Sequence, residues 1–301
     1  MTAEQPKLAI LAGGGTLPHK VADACIGAGR PFALFNVEGH ADPDIAAQAA
    51  GRITYATFGH TLELLRREGC GEVIMVGHVG RPDFRALLPD WRTVKVLPRI
   101  IAAARKGDDA LLKAVAAEFE AEGFRLVGVD DVAAALMAPA GPLGAHHPSE
   151  SDLKDIARAR ALVTALGPFD VGQGAVLCDG LVLAVEAAEG TDAMLARCAT
   201  LPQALRGAAG ARRGVLVKLP KPGQERKIDL PTIGIPTVAG AAAAGLSGIA
   251  IEAGGALILD RAPLVAAADA HGLFVYGFSR ALSGKVEAGL PQESANNKES
   301  S

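Results

Sequence analysis

Aromatic side chains are scarce in this chain: one tryptophan, two tyrosines and nine phenylalanines among 301 residues. A densely packed core must therefore be built from Ala, Val, Leu and Ile, and half of the residues are apolar, enough to build one. Cysteine is equally sparse. Cys25, Cys70, Cys178 and Cys198 stand alone with no CxxC pair, which argues against a zinc site or a disulfide framework and fits a reducing compartment. Charge of one sign is lacking as well, and a net charge of −3 gives no case for nucleic-acid binding. Long apolar runs are missing. Leu8–Ala12 breaks at Gly13–Gly15 with no secretory signal in view. Val238–Ile251, interrupted by glycines and a serine, falls short of the roughly 20 residues of a membrane span. The expectation is a cytoplasmic protein, compatible with peripheral contact at a membrane surface. Nothing in the residues specifies an oligomeric state.

What is present divides into two halves. Leu136–Pro148 holds three prolines and two glycines, which should break any regular element and bound a domain. Before it, apolar runs at Lys7–Leu11, Phe32–Asn36, Glu72–Gly77 and Arg125–Val129 read as buried strands. Pro18–Ala28, Thr61–Glu68, Pro98–Arg105 and Asp108–Glu122 read as helices, the last capped by Asp108. Strands alternating with helices predict a Rossmann-like, mostly parallel sheet. The second half predicts a helix over Ser151–Leu166 and a hairpin of Ala175–Cys178 with Leu181–Glu186 about Asp179-Gly180. Helices follow at Thr191–Thr200, Pro236–Ala244 and Pro263–Ala270. A second hairpin, Ile249–Glu252 with Ala256–Leu259, and a strand at Leu273–Phe278 complete it. The expected fold is thus a two-domain α/β protein: an N-terminal domain over 1–135, a linker over 136–148, a C-terminal mixed α/β domain over 149–285 and a disordered tail over 286–301.

Several segments carry candidate chemistry. Gly13, Gly14, Gly15 and Thr16 form a strand-to-helix turn whose backbone N–H groups would suit an anion, without matching a dinucleotide or Walker fingerprint. The competing reading is a tight structural turn. His78 and Arg81 follow a predicted strand, where open α/β sheets usually bind ligands, and Asp83 would orient Arg81 or cap a helix. Lys106 is an anion candidate beside the Asp108 cap. Gln173 lies in Asp170-Val-Gly-Gln-Gly174. Glu186, Glu189 and Asp192, near Thr191, form an oxygen-only cluster of the kind that suits Mg²⁺ when a diphosphate supplies further ligands. Helix capping would explain the same residues. The richest segment is Lys218–Gly234, with Lys218, Lys221, Arg226 and Lys227, two carboxylates and three prolines. Four cations suit a polyanion such as a diphosphate. Asp229, between apolar Ile228 and Leu230 and close to Thr232, is placed to ligate Mg²⁺ or to take a proton from water.

Taken together, Ile10-Leu-Ala-Gly-Gly-Gly-Thr-Leu-Pro18, Gly80-Arg-Pro-Asp-Phe84, Ala103-Ala-Arg-Lys-Gly-Asp-Asp-Ala-Leu-Leu112, Asp170-Val-Gly-Gln-Gly-Ala-Val176, Leu181-Val-Leu-Ala-Val-Glu-Ala-Ala-Glu-Gly-Thr-Asp-Ala-Met194 and Asp229-Leu-Pro-Thr-Ile-Gly234 resemble the LpxI-type UDP-2,3-diacylglucosamine hydrolases of lipid A biosynthesis. The resemblance runs in order over nearly the whole chain. It implies Mg²⁺-dependent hydrolysis of a lipid nucleotide-sugar to UMP and 2,3-diacylglucosamine 1-phosphate, at the cytoplasmic face of the inner membrane. It implies a substrate held between two domains, with 136–148 as hinge and Asp229 as the catalytic aspartate. The candidate metal ligands are Asp229, Glu189 and Asp192. The candidate substrate contacts are Gly13–Thr16, His78, Arg81, Lys106, Gln173, Glu189, Thr191, Lys218, Lys221 and Thr232. Gly77-His78-Val79-Gly80 departs from the family's Gly-Asn-Val-Ser. The rival readings are another nucleotide-sugar enzyme and a non-catalytic carrier of the lipid.

Overall fold

A computed structural model describes residues 5–80, 89–223 and 225–280. In the first half, β1 (Lys7–Ala12), β2 (Phe32–Val37), β3 (Gly51–Ile53), β4 (Cys70–Val76) and β5 (Arg125–Leu126) form one parallel sheet in the order β3-β2-β1-β4-β5. The central strand alternates between the two core layers. Leu8 and Ile10 face a layer with Val21, Ile45 and Ile74, and Ala9 and Leu11 face one with Phe35, Leu62 and Phe119. Around the sheet lie α1 (Leu17–Ala28), α2 (Pro43–Gln48), α3 (Phe58–Arg67), α4 (Trp91–Ala104), α5 (Asp108–Ala121) and α6 (Val129–Val132). Pro18 opens α1, and Gly29, at φ 63, closes it in the left-handed conformation.

One expected helix start moves and one expected cap changes hands. α4 begins seven residues before Pro98, because the Asp90 carboxylate caps it by accepting the Thr93 N–H at 2.7 Å. Pro98 sits inside the helix on its exposed side. Asp108 does not cap α5 but is its first residue, after Gly107 at φ 133. The cap comes from the other half: Asp170 Oδ2 accepts the N–H groups of Asp108 at 2.8 Å and Asp109 at 3.4 Å. A sequence window cannot show a cap supplied from 62 residues away.

The second half contains β6 (Gly141–Leu143), α7 (Glu150–Leu166), β7 (Gly174–Cys178), β8 (Leu181–Val185), α8 (Gly190–Ala199), β9 (Val215–Lys218), β10 (Thr232–Ile233), α9 (Ile235–Ala243), β11 (Gly248–Glu252), β12 (Leu257–Ile258), α10 (Arg261–Ala270) and β13 (Phe274–Phe278). Six of these strands form a mixed sheet in the order β6-β13-β11-β9-β7-β8. The Asp179-Gly180 hairpin is present, with φ of 50° and 80° at the two turn residues. Asp155 on α7 holds both turn amides, at 2.8 and 2.7 Å, and burial pushes its carboxyl above the ordinary value.

Two expectations fail here. The second hairpin does not form. β11 already has parallel partners on both edges, β9 and β13, so β12 pairs instead with β10 in a separate two-stranded sheet. The stretch 136–148, expected to hold no regular element, supplies β6, which pairs antiparallel with β13. Pro142 is tolerated because β6 is an edge strand with one ladder to satisfy. The expected tail over 286–301 lies outside the described residues.

The halves share apolar packing. Leu230 and Leu257 pack into the core layer of Leu8 and Ile10, and Ile228 packs against the layer of Leu11 and Phe119. All four cysteines are buried and unpaired, and desolvation raises every one of their thiol pKa values, that of Cys178 to about 11.

Candidate functional site

The strand order reverses between β1 and β4, and a cleft of about 670 Å³ opens at their C-terminal ends. One wall is apolar and comes from α4 and α5, with Leu97, Ile100, Leu111, Leu112 and Val115. The rest of the lining includes polar groups: Thr16, His78, Asp108, Arg226, Lys227, Asp229 and Thr232. Apolar and charged groups lining one cleft suit an amphiphile with an anionic head.

The glycine turn does a different job from the anion cradle expected of it. Gly13 N–H donates to Val76 O at 2.8 Å, and Gly14 and His78 exchange backbone hydrogen bonds at 2.8 Å each. Gly15 N–H points at Asp42 Oδ1, 3.4 Å away. These amides are thus engaged within the protein. A Cβ at Gly13 would lie 2.5 Å from His78 O, so glycine is required for two strand ends to interlock. Gly14, Gly15 and Thr16 line the cleft and Gly13 does not.

Asp229 is fixed from two sides. Ile228 and Leu230 are anchored in the two core layers, so the backbone between them is held at the cleft. Gln173 Nε2 donates to Asp229 Oδ2 at 2.6 Å. Arg226 is paired with Glu252 and also reaches Gly254 O at 3.4 Å.

Other candidates lie elsewhere. Lys218 is buried, and its ammonium donates to Thr191 Oγ1 at 2.7 Å and Thr232 O at 3.3 Å. Burial lowers its pKa, opposed by the charges of Glu186, Asp229 and Asp192. Lys221 pairs with Asp170 rather than lining the cleft. Lys106 is exposed on the turn between α4 and α5, and Arg81 and Asp83 lie outside the described residues. Glu189 is exposed and bound to Arg197 at 3.0 Å, and Asp192 is exposed on α8. Neither lines the cleft, although the charge of Asp192, like that of Asp229, acts on Lys218. Among the described residues, the group close enough to share a cation is His19, Asp42 and Asp44, none of which lines the cleft.

Sequence reasoning missed three contributors. Tyr55 lines the cleft and donates its hydroxyl to Gly80 O at 2.6 Å, beside His40, whose Nδ1 accepts the Gly80 N–H at 3.3 Å. Asp170 joins α5 to Lys221. The apolar wall was foreshadowed by the spacing of Leu97 and Ile100, and of Leu111, Leu112 and Val115, at helical intervals.

The family model of the LpxI N-terminal domain matches residues 7–136, and that of the LpxI C-terminal domain matches residues 139–276. A protein of Caulobacter vibrioides named UDP-2,3-diacylglucosamine pyrophosphatase LpxI is 51% identical over 271 residues, covering 90% of this chain and 97% of that relative.

Proposed function

The chain belongs to the LpxI family, and we propose that it hydrolyses the diphosphate of UDP-2,3-diacylglucosamine to UMP and 2,3-diacylglucosamine 1-phosphate in lipid A biosynthesis. The observation that carries this reading is Asp229 in the lining of the cleft, with Arg226 and Lys227, opening on the same space as the apolar wall of α4 and α5. The wall takes the acyl chains and keeps water from them. Arg226 and Lys227 meet the negative charge of the diphosphate, which is where phosphoryl transfer needs stabilisation. A water oxygen bonds to one phosphorus as the bridging P–O bond breaks, and the bridging oxygen leaves on the other phosphate. Asp229 orients that water and accepts its proton.

Mg²⁺ fits this donor chemistry. It takes one or two carboxylates and completes its shell with phosphate oxygens and water. Of the three expected ligands only Asp229 lines the cleft, so Asp229 would hold the ion. When bound, the ion neutralises charge on the diphosphate. The test is direct: purified protein with Mg²⁺ releases UMP from the lipid substrate, and a chelator stops it. No UMP release overturns the hydrolase reading. UMP release that survives chelation overturns the metal requirement.

The substrate's acyl chains place the reaction beside a membrane, and α4 supplies a contact. No described helix is long and apolar enough to cross a bilayer. Yet the outer side of α4 exposes Trp91 and Val94, with Lys95 Nζ 4.5 Å from the Trp91 ring centre, while its inner side lines the cleft. Trp beside Lys is the pairing that favours an anionic lipid interface. Co-sedimentation with anionic vesicles is expected, and Trp91→Ala with Lys95→Ala should abolish it. Equal sedimentation of this double variant would overturn the assignment of α4.

A further inference from the structure

A part-buried chain of hydrogen bonds joins Lys218 to Asp229. Lys218 Nζ donates to Thr191 Oγ1 at 2.7 Å, and Thr191 donates to Glu186 Oε1 at 2.7 Å. The other Glu186 oxygen, Oε2, accepts the backbone N–H of Gln173 at 3.3 Å. Gln173 then donates from Nε2 to Asp229 Oδ2 at 2.6 Å. Its carbonyl is also engaged, accepting Leu219 N–H at 3.0 Å. The backbone of Gln173 is therefore held through both its donor and its acceptor, so its amide is aimed.

The flanking glycines belong to the same device. A Cβ on Gly172 would overlap the Glu186 carbonyl, and one on Gly174 would lie 2.9 Å from Glu186 Oε2. Glycine on each side of Gln173 is what lets the Glu186 carboxylate approach the backbone closely enough to hold it. Glu186 and Lys218, at 9% and 6% exposure, are enclosed by the protein. They cannot serve a diphosphate in the cleft in this arrangement. Each compensates the other's burial instead, with Thr191 between them.

We infer that Gln173 is a positioning residue for Asp229, and that Glu186, Thr191 and Lys218 form the buried support that aims it. Lys218 and Gln173 thereby act through Asp229 rather than on the substrate. This rests on Asp229 being the catalytic carboxylate of the proposed hydrolase. Supports of this kind typically contribute 10- to 100-fold when they orient a reactive or ligating group.

The test uses the full-length protein and two substitutions at Gln173, whose side chain can be shortened without exposing the Glu186–Lys218 pair. Gln173→Ala should lower kcat by about 10- to 100-fold with KM within about twofold of wild type. Gln173→Glu, of the same shape but without an amide donor, should lose at least as much. In the Asp229→Ala background, Gln173→Ala should have no further effect, because the pair acts as a unit. A raised KM with kcat unchanged would make Gln173 a substrate contact and overturn the inference. So would full activity in Gln173→Glu, or multiplicative losses in the double variant. A crystal structure of Gln173→Ala gives a readout independent of turnover. The Asp229 carboxylate should leave its wild-type rotamer, and an unmoved carboxylate overturns the inference. A wild-type protein that releases no UMP overturns the hydrolase reading, and the rotamer comparison then decides the positioning claim alone.

Discussion

Asp229→Ala is expected to lower kcat by roughly 10²- to 10³-fold, the scale of removing one transition-state contact, while the Kd for uncleaved substrate stays within about threefold. The separation follows from how the residue is held. Ile228 and Leu230 anchor its backbone in the two core layers, and neither is disturbed when a carboxylate becomes a methyl group. The apolar wall and the cations Arg226 and Lys227 remain in place to bind the lipid and its diphosphate. The variant loses the hydrogen bond from Gln173, which is worth about 1 kcal/mol of stability. Equilibrium binding and single-turnover UMP release, measured on the same preparation, check both halves of the expectation. Retained turnover would remove Asp229 from the chemistry. Loss of binding would make it a substrate anchor. The same pair of measurements separates a hydrolase from a lipid carrier, for which the substitution would leave no turnover to lose.

Glu72→Ala is expected to destabilise the protein by about 3–5 kcal/mol, the largest stability loss among the ion pairs of the first half. Glu72 lies on β4 with a side chain only 1% exposed, between two arginines. Arg125 Nε donates to its Oε1 at 2.7 Å, and Arg30, itself 9% exposed, pairs with its Oε2. Removing the carboxylate leaves the Arg30 guanidinium enclosed without its counter-charge, and that penalty exceeds the worth of the pair itself. Lys7–Glu68, a half-exposed pair at 3.2 Å, is the control: Glu68→Ala should change stability by less than about 1 kcal/mol. Urea denaturation of the two variants side by side reads the difference. Equal midpoints would show that the β4 triad is not a buried ion pair in solution.

Much of the fold was legible where its causes are local. The strand runs of the first half read as buried because every residue of β1 after Lys7 is apolar, and the Asp179-Gly180 turn read as a hairpin because two residues with positive φ suffice to make it. Pairings between distant segments were not legible. Ile249–Glu252 looks the same whether its neighbour is the next segment or, as observed, β9 and β13. The same limit applies to the site. Asp229 stood out because its apolar neighbours and nearby cations are adjacent in sequence. Lys218 looked like one more cation of that loop, although it closes the all-buried run Val215–Lys218 and its ammonium is enclosed. Asp170 gave no local sign of its role, since the helix it caps lies in the other half.

The scarcity of aromatics leaves the chain with a single tryptophan, and Trp91 stands at the start of the helix that forms the cleft's apolar wall. Its indole is 63% exposed, with the Arg92 and Lys95 cations over the ring. Indole emission from the native protein thus has one source, on the outer side of a helix whose inner side lines the cleft. A shift in its wavelength reports the polarity around that helix alone, with no label attached and no signal from the core to subtract.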